Sequence, residues 1–225
     1  TPTMRDELTR HGFRNISSWS RGVDTEVFRP RRGDEKDIFA HLPKPIFLYV
    51  GRVAVEKNIE AFLHLDLPGT KVVVGDGPQK EELAERYRDA VFTGSKFGDE
   101  LSAHFACADV FVFPSLTDTF GLVILEAMAS GTPVAAYPAP GPIDIIPGSG
   151  AGALANSATE GLKEACMEAL SLDRKAVRAF AETFSWKACA EDFVRNLQPY
   201  PEPEKTRFWR RLRRLARVRR RPKAA

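Results

Sequence analysis

The chain has 225 residues, 43% hydrophobic and 28% charged, the balance of a soluble globular protein of one domain with or without appendages. Its three cysteines, Cys107, Cys166 and Cys189, lie far apart without metal or disulfide spacing, which predicts a reduced, cytoplasmic setting; no signal-peptide pattern and no bilayer-length apolar run is visible. The net charge of +3 is uneven: from Pro201 onward there are 11 basic and 2 acidic residues, against 22 and 28 in the first 200, so the body is mildly acidic and is not expected to bind nucleic acid.

Taken in order, the chain opens on TPTMRDEL without an initiator methionine, which leads us to expect a fragment or processed product. Residues 3–11 read as a short helix stopped by Gly12, and 16–19 as a short strand. Arg21-Gly22-Val23-Asp24 reads as a turn, and the charged, Pro- and Gly-containing stretch 29–44 as a linker or variable loop. Regular alternation begins at Pro45. Strands are expected at 46–50, 71–74, 90–93, 110–113 and 133–136, with a further short one near Ala153-Leu154. Helices are expected at about 56–65, 79–88, 99–108 and from Phe120-Gly121 to Gly131. Three more follow at 158–170, 173–183 and 186–197, while 138–152 reads as a Pro/Gly-rich loop. Such alternation predicts a doubly wound parallel α/β sheet with helices on both faces.

Ligands of such sheets bind at the carboxyl ends of the strands, so the loops there carry the functional reading. The first is Gly51-Arg52-Val53-Ala54-Val55-Glu56-Lys57-Asn58. Its two cations read either as a surface pair with Glu56 or Glu60, or as a clamp on a diphosphate; Lys57 is expected in the first turn of a helix, where a cation opposes the dipole by ~0.3–1 kcal/mol. The second, Gly75-Asp76-Gly77-Pro78, lacks the remainder of a dinucleotide fingerprint, which disfavours a nicotinamide enzyme. The third runs from Ser115 into an apolar helix and holds two carboxylates, Asp118 and Glu126. A buried Glu126 would need a partner. That partner is either an internal salt bridge or cap, or the hydroxyl groups of a ligand lying over the helix N-terminus, where phosphate is favoured.

The markers Arg21-Gly22-Val23-Asp24, YVGRVAVEKN, VVVGDGP, VFTG, ADVFVFPS and DTFGLVILEAMASGTPV, in this order, give residues 21–197 a resemblance to the C-terminal, donor-binding half of retaining glycosyltransferases of the GT-B architecture. The resemblance implies a nucleotide-sugar donor and roles at matching positions. Gly51 allows close approach, and Arg52 and Lys57 hold the diphosphate. Glu126 takes the ribose hydroxyls, Asp118 contacts the transferred sugar, and the Phe120-Gly121-Leu122 backbone meets phosphate. The segment from Val91 and Phe92 to Gly94 lies against the base. Asp118, Arg52 and Lys57 would be the catalytic group. Asp118 departs from the pattern, which usually has Glu, so its contact with the sugar is expected to be differently aimed. No carboxylate pair or His cluster stands at ligand spacing, so no metal and no cofactor is expected, the cations and a helix N-terminus supplying the positive field.

The expected domains are 1–30, a remnant of an N-terminal domain with its linker; 31–198, the nucleotide-sugar-binding domain; and 199–225, a basic tail. The acceptor-binding N-terminal domain would be a missing partner. In the tail, Arg207–Arg221 carries nine arginines, with Phe208, Leu212 and Leu215 on one helical stripe. That pattern suits an anionic membrane surface, each basic residue adding ~1 kcal/mol, and places the chain as a peripheral protein on the inner membrane face. A solvated tail or a nucleic-acid arm is the alternative for this segment. The reading is thus a hexosyltransferase donor domain acting with retention, with a lipid as one acceptor class. The alternative is a non-catalytic nucleotide- or sugar-binding module tethered to membrane.

Overall fold

Four of the strands are short apolar runs that bury both faces, as parallel strands covered by helices require. In the computed structural model, which describes residues 1–158 and 160–197, the chain forms a six-stranded sheet with β1 at Ile46–Val50, β2 at Thr70–Val74, β3 at Val91–Gly94, β4 at Val110–Phe113, β5 at Val134–Ala136 and β6 at Gly152–Leu154. Every pairing is parallel, and the order across the sheet is β3-β2-β1-β4-β5-β6. The fold is a Rossmann-like, doubly wound α/β sheet.

The helices are α1 (Pro2–Arg10), α2 (Ile59–Leu63), α3 (Lys80–Arg86), α4 (Gly98–Cys107), α5 (Leu122–Ala129), α6 (Pro142–Ile145), α7 (Leu162–Ala169), α8 (Arg174–Ala181) and α9 (Trp186–Asn196). Side chains alternate along each strand and divide the core in two. On one face Leu48, Val72, Phe111, Phe113 and Val134 pack with Phe105 of α4, Ile124 and Leu125 of α5, and Val177 of α8. On the other Phe47, Tyr49, Val73, Val112 and Ala135 pack with Ile59 and Phe62 of α2, Leu83 of α3, and Leu162 and Cys166 of α7. Phe111 is fully buried, and burying a side chain of that size contributes ~1.5–3 kcal/mol. Thr1–Phe193 form one compact unit.

Several expectations are corrected. Residues 16–19 form no strand, because Trp19 is held by its side chain instead. Its ring packs 5.1 Å from Phe193, its Nε1 donates to the Cys189 carbonyl at 3.2 Å, and the Arg21 guanidinium lies 4.4 Å above it. Val23 is buried and bridges to Ser185 rather than turning freely. The stretch 29–44 is irregular, as expected, yet Phe39 anchors it in the core. The helix expected at 56–65 is split. Val55–Lys57 make one 3-10 turn, Asn58 takes a left-handed conformation at φ 53°, and α2 starts after it. The Pro/Gly-rich loop contains α6.

Arg178 of α8 straps distant segments together. Its guanidinium donates to the carbonyls of Phe28 (2.6 Å), Ala129 (2.5 Å) and Thr25 (3.1 Å). The basic stretch Arg207–Arg221 lies outside the described residues. No helix among the described residues is long and apolar enough to cross a membrane.

Candidate functional site

The strand order reverses direction between β1 and β4, and a doubly wound sheet opens a crevice at that point, outside the carboxyl ends of the strands. The loops after β1 and β4 therefore diverge to opposite faces and leave a cleft of about 530 Å³. Gly51, Arg52 and Lys57 line one side; Ser115, Asp118, Phe120, Gly121, Leu122 and Glu126 line the other, with Tyr49 and Arg21 also contributing. Eight of the eleven residues singled out from the sequence thus share one cavity.

Two glycines make the approach possible. Gly51 has φ 154°, and a Cβ there would come within 2.8 Å of the Tyr49 hydroxyl. Gly121 has φ 78°, and a Cβ would stand 2.9 Å from Ile124 Cδ1. It opens α5 without any side chain capping the helix, and Gly121, Leu122 and Val123 at that helix start line the cleft.

The cations are not both paired as expected. Arg52 is exposed and reaches Glu56 at 3.4 Å, a weak contact. Lys57 meets neither Glu56 nor Glu60. Its Nζ donates to both carboxylate oxygens of Asp118, each at 2.9 Å. Since it ends the 3-10 turn instead of starting an α-helix, the expected conflict with a helix dipole does not arise. The left-handed Asn58 turns the chain there, and its Nδ2 donates to the Pro114 carbonyl at 3.1 Å, while Thr117 Oγ1 donates to the Glu56 carbonyl at 3.4 Å. Three side-chain links therefore tie the β1 loop to the β4 loop.

Glu126 is different. It sits on α5 between Leu125 and Ala127, half-buried, and burial pushes its carboxyl above the usual carboxylate range. No salt bridge or cap engages its side chain among the described residues, so neither internal partner anticipated for it is present there. Ser115 Oγ, fully buried in the cleft wall, likewise lacks a partner among the described residues. Tyr49 donates its hydroxyl to the Arg52 carbonyl at 2.9 Å and thereby fixes the turn that carries Arg52. Burial, with Asp118 and Glu56 adding, holds that phenol well above its ordinary value.

The segment Val91–Gly94 is placed apart from this cleft. Val91 lines a separate depression with Ile38 and His104, and Phe92 packs into the core below β3. Only Gly94 reaches the carboxyl edge, beside a shallower hollow of about 290 Å³ formed by Gly51, Arg52, Asp76, Ser95, Lys96 and Phe97. Tyr49 and Ser115 were not singled out from the sequence. One reads as an ordinary strand residue and the other as loop punctuation, and only the sheet topology brings them to the cavity. No group of three or more His, Cys, Asp and Glu is arranged to hold a metal among the described residues.

This arrangement defines a doubly wound α/β protein whose switch-point cleft gathers the cations Arg52 and Lys57, the carboxylates Asp118 and Glu126 and an uncapped helix N-terminus. The chain belongs to the Glycosyl transferases group 1 family, whose model matches residues 44–172. It is 41% identical over 199 residues to the sulfoquinovosyl transferase SQD2 of Arabidopsis thaliana, covering 80% of this chain and 39% of that protein. It is also 41% identical over 146 residues to a GDP-mannose-dependent alpha-mannosyltransferase of Corynebacterium glutamicum, covering 63% and 35% respectively. Among solved structures, sucrose-phosphate synthase (tll1590) from Thermosynechococcus elongatus superposes with a TM-score of 0.63 at 28% identity, covering 78% of this chain and 50% of that one. The chain therefore spans well under half the length of these two curated relatives.

Proposed function

We propose that the chain is the donor-binding half of a nucleotide-sugar glycosyltransferase, which moves a hexose from a UDP- or GDP-linked donor to an acceptor with retention. The carrying observation is the convergence, in one cleft of a group 1 family member, of Arg52, Lys57, the uncapped N-terminus of α5 and the unpartnered Glu126. In this reading the diphosphate lies across Arg52, Lys57 and the first turn of α5. The ribose hydroxyls donate to Glu126, and the sugar projects toward Asp118. Gly94 and the hollow beyond Arg52 take the base.

Transfer breaks the bond from the anomeric carbon to the diphosphate oxygen and forms one from that carbon to an acceptor hydroxyl oxygen. The hydroxyl proton passes to the leaving diphosphate. Charge grows on the diphosphate as the bond breaks, and two cations and a helix N-terminus pre-aimed there stabilise it without a metal. The acceptor is held by a second domain outside this chain, in keeping with the relatives' greater length. Such positioning accounts for ~7–11 kcal/mol of a barrier, so the chain alone binds donor and transfers little.

Calorimetry with UDP, GDP and ADP, with and without EDTA, tests the reading. Binding of one of them that survives chelation is expected. Absence of binding, or its restoration only by magnesium or manganese, would overturn the metal-free donor site. The acceptor we propose is a membrane lipid, reached from the cytoplasmic face through the basic stretch Arg207–Arg221. Deleting residues 203–225 should abolish sedimentation with anionic vesicles, a binding that falls with salt, and leave nucleotide affinity intact. Equal binding to neutral vesicles would refute the membrane role.

A further inference from the structure

The free cleft already holds an anion where the donor's diphosphate is expected. Lys57 has three N–H donors. Asp118 takes two of them at 2.9 Å each. The side chains are only 27% and 24% exposed, so the pair is less screened by water than a surface ion pair. The side-chain bonds from Asn58 to the Pro114 carbonyl and from Thr117 to the Glu56 carbonyl hold the two loops in this register, so the pair is part of the cleft's construction rather than two side chains meeting by chance.

We infer that Asp118 is an internal competitor for the diphosphate: it neutralises Lys57 in the empty cleft, yields when the donor binds, and reclaims Lys57 when the nucleoside diphosphate leaves. The inference rests on the donor reading above and assigns Asp118 a role that acts through Lys57. A diphosphate docking on Lys57 finds one free N–H and a carboxylate alongside. It must either displace Asp118 or tolerate its charge, and both weaken binding. The short aspartate arm fits this role, because both its oxygens are committed to Lys57 and neither is free in the empty cleft to await a sugar hydroxyl. Glu126, eight residues on, has no such commitment and stays available.

The consequence for the reaction is a product that leaves readily. Once the proton it received is lost to water, the nucleoside diphosphate carries one more negative charge than the donor did, which alone would hold it on the cations. A carboxylate that returns to Lys57 offsets that attraction. Asp118 is here a positioning and release group rather than a catalytic residue.

The test is calorimetry of UDP, GDP and their hexose-linked forms against the wild-type chain, Asp118→Asn, Lys57→Ala and the double variant, at low and high salt. Asp118→Asn is expected to bind the nucleoside diphosphate about three- to tenfold tighter, a gain that shrinks as salt rises. In the Lys57→Ala background the same change should give a smaller gain. Asp118→Ser gives the same reading should the asparagine variant fold poorly, and thermal unfolding reports folding of each. Unchanged or weaker diphosphate binding in both Asp118 variants would overturn the inference. So would a loss confined to the sugar nucleotide, since that places Asp118 on the sugar instead. In either case the donor reading stands if wild type binds and Lys57→Ala binds more weakly. If wild type binds no nucleoside diphosphate, both fall together.

Discussion

The interior of the sheet and its carboxyl edge are built on opposite rules. Inside, Leu48, Val72, Phe111 and Val134 interlock with α4, α5 and α8 and leave no exposed surface. At the edge, a few residues away, Glu126 and Ser115 Oγ have no partner among the described residues, α5 is uncapped, and Lys57 pairs with Asp118. The interior maximises stability and the edge gives some of it up. A half-buried carboxylate and an uncapped helix are costs that a folded chain retains only where a ligand or another chemical task repays them.

That contrast can be broken in both directions, and the interior should break hardest. Phe111→Ala removes a fully buried ring in the middle of β4 and should cost ~3–5 kcal/mol of stability in chemical denaturation. The fraction that remains folded should bind nucleoside diphosphate as before. A large loss of affinity per folded molecule would mean that the interior and the edge are not separable.

Lys57→Ala reverses the pattern. It should weaken nucleoside diphosphate binding by ~1.5–3 kcal/mol, the size of a charge-assisted bond, while changing stability by less, because its pair with Asp118 is partly solvated. Calorimetry and denaturation of the same preparation decide it. A fall in stability exceeding the loss in affinity would make Lys57 a structural residue.

Glu126→Gln sharpens the comparison by giving the two effects opposite signs. The folded chain holds the Glu126 proton more tightly than the unfolded chain does. As pH rises through the ordinary carboxylate range, the unfolded state therefore ionises first and gains stability relative to the fold, and the cost persists above the raised folded value. The glutamine variant should accordingly be more stable than wild type at neutral pH and equal to it under acid conditions where both states are protonated. It should bind nucleoside diphosphate more weakly, by ~1–3 kcal/mol, for want of a charged acceptor for ribose hydroxyls. Thermal unfolding from acid to neutral pH checks the first, and calorimetry the second. A neutral-pH destabilisation would show that Glu126 has a structural partner.

Tyr49→Phe is the mildest change. It removes the bond to the Arg52 carbonyl, worth ~0.5–1.5 kcal/mol, and keeps the ring in its core position. The loosened turn should weaken diphosphate binding by less than Lys57→Ala does, and an unaltered affinity would remove Tyr49 from the list of groups that place Arg52.

The strands were legible because buried parallel strands are short apolar runs bounded by turn residues. β4 falls on 110–113 as read, and β1 on 46–50. Family markers carried the reading further, to the residues of the cleft and to the group 1 family. What the sequence could not show is pairing across the fold. Lys57 and Asp118 are 61 positions apart, and each has closer charged neighbours along the chain, so local spacing pointed to Glu56 and Glu60. Asn58 was missed for a related reason. Its left-handed backbone is fixed by a bond to Pro114, which no helical periodicity reports. Trp19 looked like part of a strand because an apolar β-former among polar residues reads that way, while its real anchor is the Cys189 carbonyl, 170 positions later.

The strap made by Arg178 also bears on the order in which the molecule comes together. Its carbonyl partners at Thr25 and Phe28 precede it by 153 and 150 positions. On the ribosome, domains assemble as they emerge, and β1 to β4 with their helices are out long before α8. The stretch around residues 25–28 can then dock only in part, through the bond from Ser102 Oγ of α4 to the Val27 carbonyl and the packing of Phe28 on Phe105, while the carbonyls of Thr25 and Phe28 wait for a guanidinium that has not yet been made. Truncated nascent chains ending before residue 178 should leave that stretch more open to protease than chains that carry α8 beyond the exit tunnel, where Arg178 adds its bonds to the contacts with α4.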